Sequence, residues 1–244
     1  LESSIFNFTT SPPLSAIADY NFNNTRSNIL GTEPFSTANT SFTVDRNSVA
    51  NNALSISSST TGTSATISSI PTGNQSRTIS FWYKISSNVA NSAIFSYGSA
   101  SANETFGMYI QNTGRPTFQA FGTDQIFGNG TFAANNWHHT VLTYDGINVR
   151  IYMNGVLADT KPYSLNTGSS SIKFGNNSAT LSIDDLKIYG DAISQENVTS
   201  LYTTNALLSQ NFNQDNLEVS LYPNPANDVL NIETDTEIKS VEVY

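Results

Sequence analysis

The stretch WHHTVLTYDGINVRIYMNGVLADT, residues 137–160, decides the fold class of this chain. It contains two turn dipeptides, Asp145-Gly146 and Asn154-Gly155. Type I′ turns need positive φ at both central residues, which favours these dipeptides between two antiparallel strands. Between the two turns every second residue is apolar, which is the period of a strand with one buried face. The stretch therefore predicts three antiparallel strands in a meander.

The same two-residue period continues through most of the chain, from residue 18 to residue 189. In TISFWYKI, residues 78–85, one face of the predicted strand carries Ile79, Phe81, Tyr83 and Ile85. Helix signals are weak, and one short helix is predicted at SQENVTSLY, where Ser194 can act as the N-cap. Many short strands with little helix indicate an all-β protein built as an antiparallel two-sheet sandwich.

The composition excludes several classes of function. The chain has 244 residues, a net charge of −9 and scattered Lys and Arg residues, so it offers no basic stripe to a nucleic acid. It contains no cysteine, which excludes disulfides, thiolate metal sites and thiol nucleophiles. No apolar run approaches the roughly 18–20 residues that a membrane-spanning helix needs.

Several motifs resemble the laminin-G-like, concanavalin A-like jelly-roll family. They are NNWHHTVLTYDGINVRIYMNGVL, TISFWYKI, AIFSYGSASANETFGMYIQ and SIDDLKIYGDAISQENVTSLY. The resemblance covers residues 15–202 and implies an antiparallel jelly-roll β-sandwich. This fold hosts lectins, adhesion modules, glycanases and inert spacers, so the resemblance is specific for the fold and leaves the ligand open.

Aromatic side chains on predicted strands and loops are candidates for sugar binding. Sugar sites combine aromatic faces with planar amides on an open sheet or its rim. The candidates are Trp82, Tyr109, Phe121 and Phe127. Trp82 is the strongest candidate of the four, because its side chain lies on the face of the strand opposite to the face that carries Phe81. Core packing is the alternative for each ring. The expected partner is a polysaccharide or a surface glycan, which makes the chain a glycan-binding or adhesion module.

The resemblance also implies one structural Ca²⁺ ion. Family members often hold it with the aspartate of the closing strand and with backbone carbonyls, and Ca²⁺ accepts six to eight such oxygens. The matching residue is Asp184 in SIDDLKIY, and Asp45 is a second candidate ligand. The sequence departs from the family at Ser48, which replaces the usual glycine, and at Arg26, which adds a positive charge.

The acidic residues predict that the chain is not an enzyme. Glucan-hydrolysing relatives carry carboxylates two residues apart on one strand face, and a retaining pair sits about 5 Å apart. Glu33, Glu104 and Glu196 have no acidic neighbour at that spacing. Asp184 and Asp185 are adjacent, so on a regular strand they face opposite ways. Two alternatives stay open: a glycoside hydrolase or lyase with acids distant in sequence, and a secretion cargo with no sugar ligand.

The segment LYPNPANDVLNIET, residues 221–234, resembles the start of the type A C-terminal sorting domain of the type IX secretion system of Bacteroidetes. Its signature residues are Tyr222, Pro223, Asn224, Pro225, Leu230 and Ile232. The two prolines fix φ and remove two backbone donors, which suits an extended entry into an edge strand. The resemblance implies export across the outer membrane by the shuttle and translocon proteins of that system. The protein is then secreted or displayed on the bacterial cell surface.

These patterns divide the chain into three parts. Residues 1–202 form a jelly-roll domain, residues 203–216 form a polar linker, and residues 217–244 form the first strands of a small β-sandwich sorting domain. That sorting domain is incomplete, because the later strands of its family have no counterpart in this sequence.

Overall fold

The computed structural model describes residues 15–58, 61–87, 92–126, 130–175, 179–207, 219–222 and 231–234. In chain order the strands of the first unit are β1 (Ala18–Tyr20), β2 (Thr40–Thr43), β3 (Ala53–Ile56), β4 (Thr63–Ala65), β5 (Arg77–Ile85), β6 (Ser92–Gly98), β7 (Thr105–Ile110), β8 (Pro116–Gln119), β9 (Gln125–Ile126), β10 (His138–Tyr144), β11 (Asn148–Met153), β12 (Val156–Pro162), β13 (Ile172–Phe174) and β14 (Leu181–Tyr189). One helix, α1 (Gln195–Leu207), follows them.

Two antiparallel sheets form the sandwich. The larger has eight strands in the order β12-β11-β10-β5-β14-β3-β2, with β1 also paired to β14, and the smaller has the order β4-β13-β6-β7-β8-β9. Their inner faces share one apolar core. Phe81 of β5 crosses this core and meets Phe95 of β6 and Phe174 of β13 edge-on, with ring centres 5.3 and 5.1 Å away. The prediction of an antiparallel β-sandwich is thereby confirmed.

The predicted meander is β10, β11 and β12, and its two turns differ. Asn154 and Gly155 both have positive φ, 51° and 80°, and they connect Met153 directly to Val156, as a type I′ turn does. The other turn spans residues 145–148, and the expectation of a type I′ turn there was wrong. The Asp145 carboxylate instead accepts backbone N–H bonds from Ile147 and Asn148, which closes a longer loop.

Helix α1 packs on the outer face of the eight-stranded sheet. The Ser194 hydroxyl accepts a hydrogen bond from the Asn197 N–H at 3.2 Å, so the predicted N-cap is confirmed. Val198 buries its side chain in a second apolar cluster with Val141, Tyr152, Tyr189 and Ile193. The helix continues to Leu207, so residues 203–207 of the predicted polar linker are helical. Tertiary packing can hold a helix whose own sequence is polar.

A second unit contains two further strands, β15 (Val219–Tyr222) and β16 (Asn231–Thr234). They pair antiparallel, with Leu221 opposite Ile232 and Tyr222 opposite Asn231. Among the predicted sorting-signal residues, Tyr222 and Ile232 therefore lie in strands. The others, Pro223, Asn224, Pro225 and Leu230, fall outside the described residues. Across the described ranges, no helix combines the length and the apolar character that membrane crossing requires.

Candidate functional site

Trp82 lies on the outer face of β5, where α1 covers the sheet. It is only 7% exposed. The Tyr202 ring stacks on its indole with centroids 5.6 Å apart, and the Arg46 guanidinium carbon lies 4.8 Å from its ring centre. These contacts leave no open face for a sugar ring. The geometry therefore favours the packing alternative for Trp82, although the sequence placed it first.

Tyr109 lies on the outer face of the other sheet. Its neighbours in β7, Phe106, Met108 and Ile110, point into the core, and Tyr109 itself is half-buried. It stands opposite Thr117 of β8. Burial, with the Asp124 carboxylate nearby, raises the pKa of the Tyr109 phenol above its ordinary value. The phenol thus stays protonated at neutral pH and can both donate and accept hydrogen bonds.

Phe121 is exposed on the loop that follows β8. Its side chain is 44% exposed, and its backbone φ is 58°. A residue other than glycine in this left-handed region costs about 1 kcal/mol and persists only where the surroundings fix it. The fold therefore keeps the large Phe121 ring exposed even though the backbone at this residue is strained.

Hydrogen bonds on both sides of Phe121 fix the loop. The Asp124 carboxylate accepts a bond from the Ala120 N–H at 2.9 Å, and the Asn103 N–H donates to the Ala120 carbonyl at 2.7 Å. The Thr123 hydroxyl donates to the Asn103 side chain at 2.6 Å. The loop thus presents the Phe121 ring at a defined place, which lowers the entropy cost of stacking a ligand on it.

We call Tyr109, Gln119, Phe121 and Asp124 the β7–β8 surface. Asp124 joins its parts, because it fixes the Phe121 loop and acts electrostatically on Tyr109. Gln119 pairs with Gly107, where a Cβ atom would lie 2.7 Å from the Phe95 carbonyl oxygen. Position 107 of β7 therefore accepts only glycine. Because glycine has no side chain, the space between Gln119 and strand β6 stays open. Aromatic rings, an amide and a carboxylate are the groups that hold a sugar ring. The fourth predicted aromatic, Phe127, lies outside the described residues.

A groove of about 520 Å³ lies on the other sheet, between α1 and strands β1 and β14. Lys187 donates a hydrogen bond to the Asp19 carboxylate within it, and Leu30, 58% exposed, forms part of its rim. The buried Asn28 side chain fixes that rim by accepting bonds from the N–H groups of Asp19 and Leu30. Sequence reasoning missed this groove, because only the pairing of β1 with β14 brings Asp19 opposite Lys187.

The predicted calcium ligands are engaged by the protein itself. Asp184, 2% exposed, receives a bond from Arg46 Nη1 at 2.5 Å, and Asp185 receives one from Arg46 Nη2 at 2.5 Å. Asp45 Oδ1 accepts the backbone N–H bonds of Asn47 and Val49, both at 2.8 Å. A guanidinium beside the carboxylates repels a divalent cation and occupies their oxygens, so these residues do not fit Ca²⁺. In the described ranges no three metal-ligating side chains cluster.

The charge balance of this cluster is unusual. Burial, and then the neighbouring carboxylate of Asp185, raise the pKa of Asp184 to about 8, although Arg46 acts in the opposite direction. Buried carboxyls with raised pKa values often mark functional sites. Here Arg46 and the surrounding side chains close the site to a substrate.

The two adjacent histidines point to different sides of β10. His138 bonds through Nε2 to the Ala133 carbonyl at 2.9 Å, and its ring lies 5.7 Å from that of Tyr83. His139 Nε2 lies 3.1 Å from the Ser80 hydroxyl, on the side of Trp82. Burial, helped by the positive charge of Arg46, lowers the pKa of His139 to about 3. A buried neutral ring of this kind packs and hydrogen-bonds rather than binding metal.

Comparison with known proteins identifies relatives of the fold. Residues 57–199 match the family model of the Concanavalin A-like lectin/glucanases superfamily. No curated protein matches the chain in sequence. Several solved structures share the fold at less than 20% identity.

The first of these structures is the binding domain of botulinum neurotoxin serotype G, with a TM-score of 0.63 and 18% identity over 79% of this chain and 51% of that one. The serotype D ligand-binding domain in complex with N-acetylneuraminic acid has a TM-score of 0.63 and 18% identity, over 79% and 52% of the two chains. The chain thus spans about half the length of these toxin domains. Domain 4 of the extracellular arabinanase AbnA from Geobacillus stearothermophilus, in complex with arabinotriose, has a TM-score of 0.62 and 19% identity, over 78% and 98%.

Proposed function

The chain belongs to the Concanavalin A-like lectin/glucanases superfamily, and we propose that it is a non-catalytic module that binds a polysaccharide or surface glycan through its β7–β8 surface. The observation that carries this proposal is the exposed Phe121 ring on a loop anchored beside Tyr109. The complexes of its fold neighbours with arabinotriose and N-acetylneuraminic acid support a carbohydrate as the class of ligand.

The mode of binding follows from the side chains of the surface. The Phe121 ring stacks on the C–H face of a sugar, while the Tyr109 phenol, the Gln119 amide and the Asp124 carboxylate bond its hydroxyls. Asp124 and the net charge of −9 disfavour uronic or sialic acids, because like charges repel in a partly desolvated site. The preferred ligand is therefore a neutral glycan.

The acidic groups of the described residues support a role without catalysis. Asp145 pairs with Arg150, and Asp159 pairs with Lys161. The adjacent carboxylates of Asp184 and Asp185 are held by one guanidinium beneath the surface. A glycosidase needs an acid and a second carboxylate that face each other across an open cleft. Asp145, Asp159, Asp184 and Asp185 are each engaged by a cation instead, which disfavours the hydrolase or lyase alternative at these four positions.

Export through a type IX sorting domain is the second part of the proposal. It rests on the Tyr222-to-Ile232 signature and is supported by the antiparallel pairing of β15 with β16. In this proposal the shuttle and translocon proteins recognise the C-terminal unit, and the jelly roll reaches the cell surface or the medium. Removal of residues 217–244 is expected to trap the protein in the periplasm. A deletion variant that still reaches the surface would refute the sorting role, and full-length Phe121→Ala serves as the export-competent control.

A glycan array with the full-length chain tests the binding role. We expect neutral oligosaccharides to give the signals, with acidic analogues weaker. A wholly blank array would favour the cargo without a sugar ligand. An assay of reducing ends on the bound glycan decides the enzymatic alternative, since sustained release of new ends would show hydrolysis.

A further inference from the structure

We infer that Arg46 takes the place of a metal ion in this sandwich, so that the fold is held at this point by a guanidinium and needs no calcium there. The predicted ligands do not fit Ca²⁺, and Arg46 instead links the loop that carries it to the closing strand β14 and to Trp82, on which helix α1 packs. This link does not depend on whether the β7–β8 surface binds a glycan.

The backbone of β14 turns two adjacent carboxylates toward one cation. A regular strand would place Asp184 and Asp185 on opposite faces, as the sequence predicted. The structure contradicts that prediction. The register between β14 and β5 shifts between Asp184 and Lys187, and Asp185 has a positive φ of 46°. Such a bulge re-aims a side chain. Both carboxylates consequently reach the same guanidinium, through its two terminal nitrogens.

A cation is needed here because the carboxylates are buried. The side chains of Arg46, Asp184 and Asp185 are 7%, 3% and 20% exposed. Two carboxylates side by side repel each other and lose hydration, which only a positive charge in contact with both can offset. The planar fork of an arginine matches this arrangement, since its two terminal nitrogens point in fixed directions.

Two further carboxylate oxygens of this cluster also accept hydrogen bonds. Asp184 Oδ1 accepts the N–H of Asp185 at 2.9 Å, and Asp45 Oδ1 accepts two N–H groups of its own loop. A calcium ion would have to expel the guanidinium and assemble at least six oxygens, and four of the nearby carboxylate oxygens already accept hydrogen bonds. The native chain therefore has no calcium site at this position.

The Arg46 side chain joins three parts of the fold. Its own loop lies before β3, its salt bridges reach β14, and its guanidinium faces Trp82 in β5. Trp82 in turn stacks on Tyr202 of α1. Structural metal ions tie loops to strands in the same way, so loss of Arg46 should loosen all three parts together.

Thermal melting of the full-length chain with and without calcium tests the inference. The wild type, Arg46→Met and Arg46→Lys are melted in the same buffer, containing either a chelator or millimolar calcium chloride. The wild type should melt at the same temperature in both. Arg46→Met should melt about 6–20 °C lower in chelator, because breaking a buried ion pair leaves charge without a partner. Calcium should restore part of that loss in Arg46→Met, since the carboxylates then lack a cation. The melting temperature of Arg46→Lys should lie between those of the wild type and Arg46→Met, and it should not change when calcium is added.

Each alternative outcome has a defined meaning. A wild-type melting temperature that rises with calcium concentration overturns the inference. An Arg46→Met protein that melts like the wild type, or that ignores calcium, also overturns it. If Arg46→Met does not fold, Arg46→Met combined with Asp184→Asn removes one of the unpaired charges. We expect that double variant to regain folding, and continued failure to fold would count against the charge argument.

Discussion

The Tyr202 ring in α1 stacks on the Trp82 ring in β5, with centroids 5.6 Å apart and planes inclined by 21°. This contact fixes the helix on the outer face of the eight-stranded sheet. It explains why a tryptophan on the apparently solvent-facing side of a strand is buried. The helix supplies the cover, and the sequence of β5 carries no sign of it.

Tyr202→Ala should expose Trp82 and destabilise the protein. Loss of a half-buried ring should lower the free energy of unfolding by about 2 kcal/mol. The indole should also become wetter, so its fluorescence emission should shift to longer wavelength. The measurement uses a Trp137→Phe background, which leaves Trp82 as the single tryptophan of the 244 residues. Unchanged emission in Tyr202→Ala would show that the helix does not shield Trp82 in solution.

Gly155→Ala should destabilise the protein through both strain and a clash. Gly155 has φ of 80°, and a Cβ atom there would lie 2.9 Å from Cδ1 of Tyr202. Gly122 is the matched control, because its φ is 84° but nothing lies within 4 Å of its added Cβ. Both variants place an alanine at a left-handed backbone position, which lowers the free energy of unfolding by about 1 kcal/mol in each. Urea unfolding should therefore show a larger loss for Gly155→Ala, and equal losses would contradict the contact between turn and helix.

Arg77 should be essential for the loop that precedes β5. Its side chain is fully buried and donates hydrogen bonds to the carbonyls of Pro71, Gly73 and Gln75 and to the Tyr97 hydroxyl. Arg77→Lys keeps the charge but cannot reproduce these fixed directions. We expect a loss of about 1–3 kcal/mol in the free energy of unfolding, measured in urea, because buried carbonyls lose their donors. A loss below about 1 kcal/mol would mean that the loop does not depend on the guanidinium.

His139 should make the protein less stable in mild acid. Its folded-state pKa of about 3 lies below the ordinary value of 6.5, so the unfolded chain takes up the proton more readily. Stability from this group is complete above about pH 6.5 and falls as the pH drops toward 3, by up to about 1.4 kcal/mol per pH unit. His139→Gln removes the titration and can keep a bond to Ser80. The stability difference between wild type and variant should change with pH in this window, and a constant difference would contradict the depressed pKa.

The sequence predicted the strands because strand signals are local. The alternation in β5 correctly placed Phe81 and Tyr83 in the core, and Asn154-Gly155 correctly marked a two-residue turn. These features depend on neighbours one or two residues away. The helix cap at Ser194 is equally local, since its partner is three residues along the chain.

The sites could not be predicted in the same way, because they depend on long-range pairing. Arg46 and Asp184 are 138 residues apart in sequence, and the bulge at Asp185 cannot be recognised from an ordinary run of apolar and acidic residues. The candidate Phe121 was identified as an aromatic residue, but its exposure depends on the hydrogen bonds that the neighbouring Ala120 makes with Asn103 and Asp124.

The most direct test of the glycan-binding proposal compares two exposed apolar side chains. Phe121→Ala removes the ring of the β7–β8 surface, while Leu30→Ser changes the rim of the groove on the other sheet. Both residues are exposed, so both variants should fold. Titration calorimetry with the neutral glycan that binds most strongly to the wild type should show affinity about tenfold or more weaker for Phe121→Ala, and unchanged for Leu30→Ser. Wild-type affinity in Phe121→Ala, or a loss confined to Leu30→Ser, would contradict the assignment of the site.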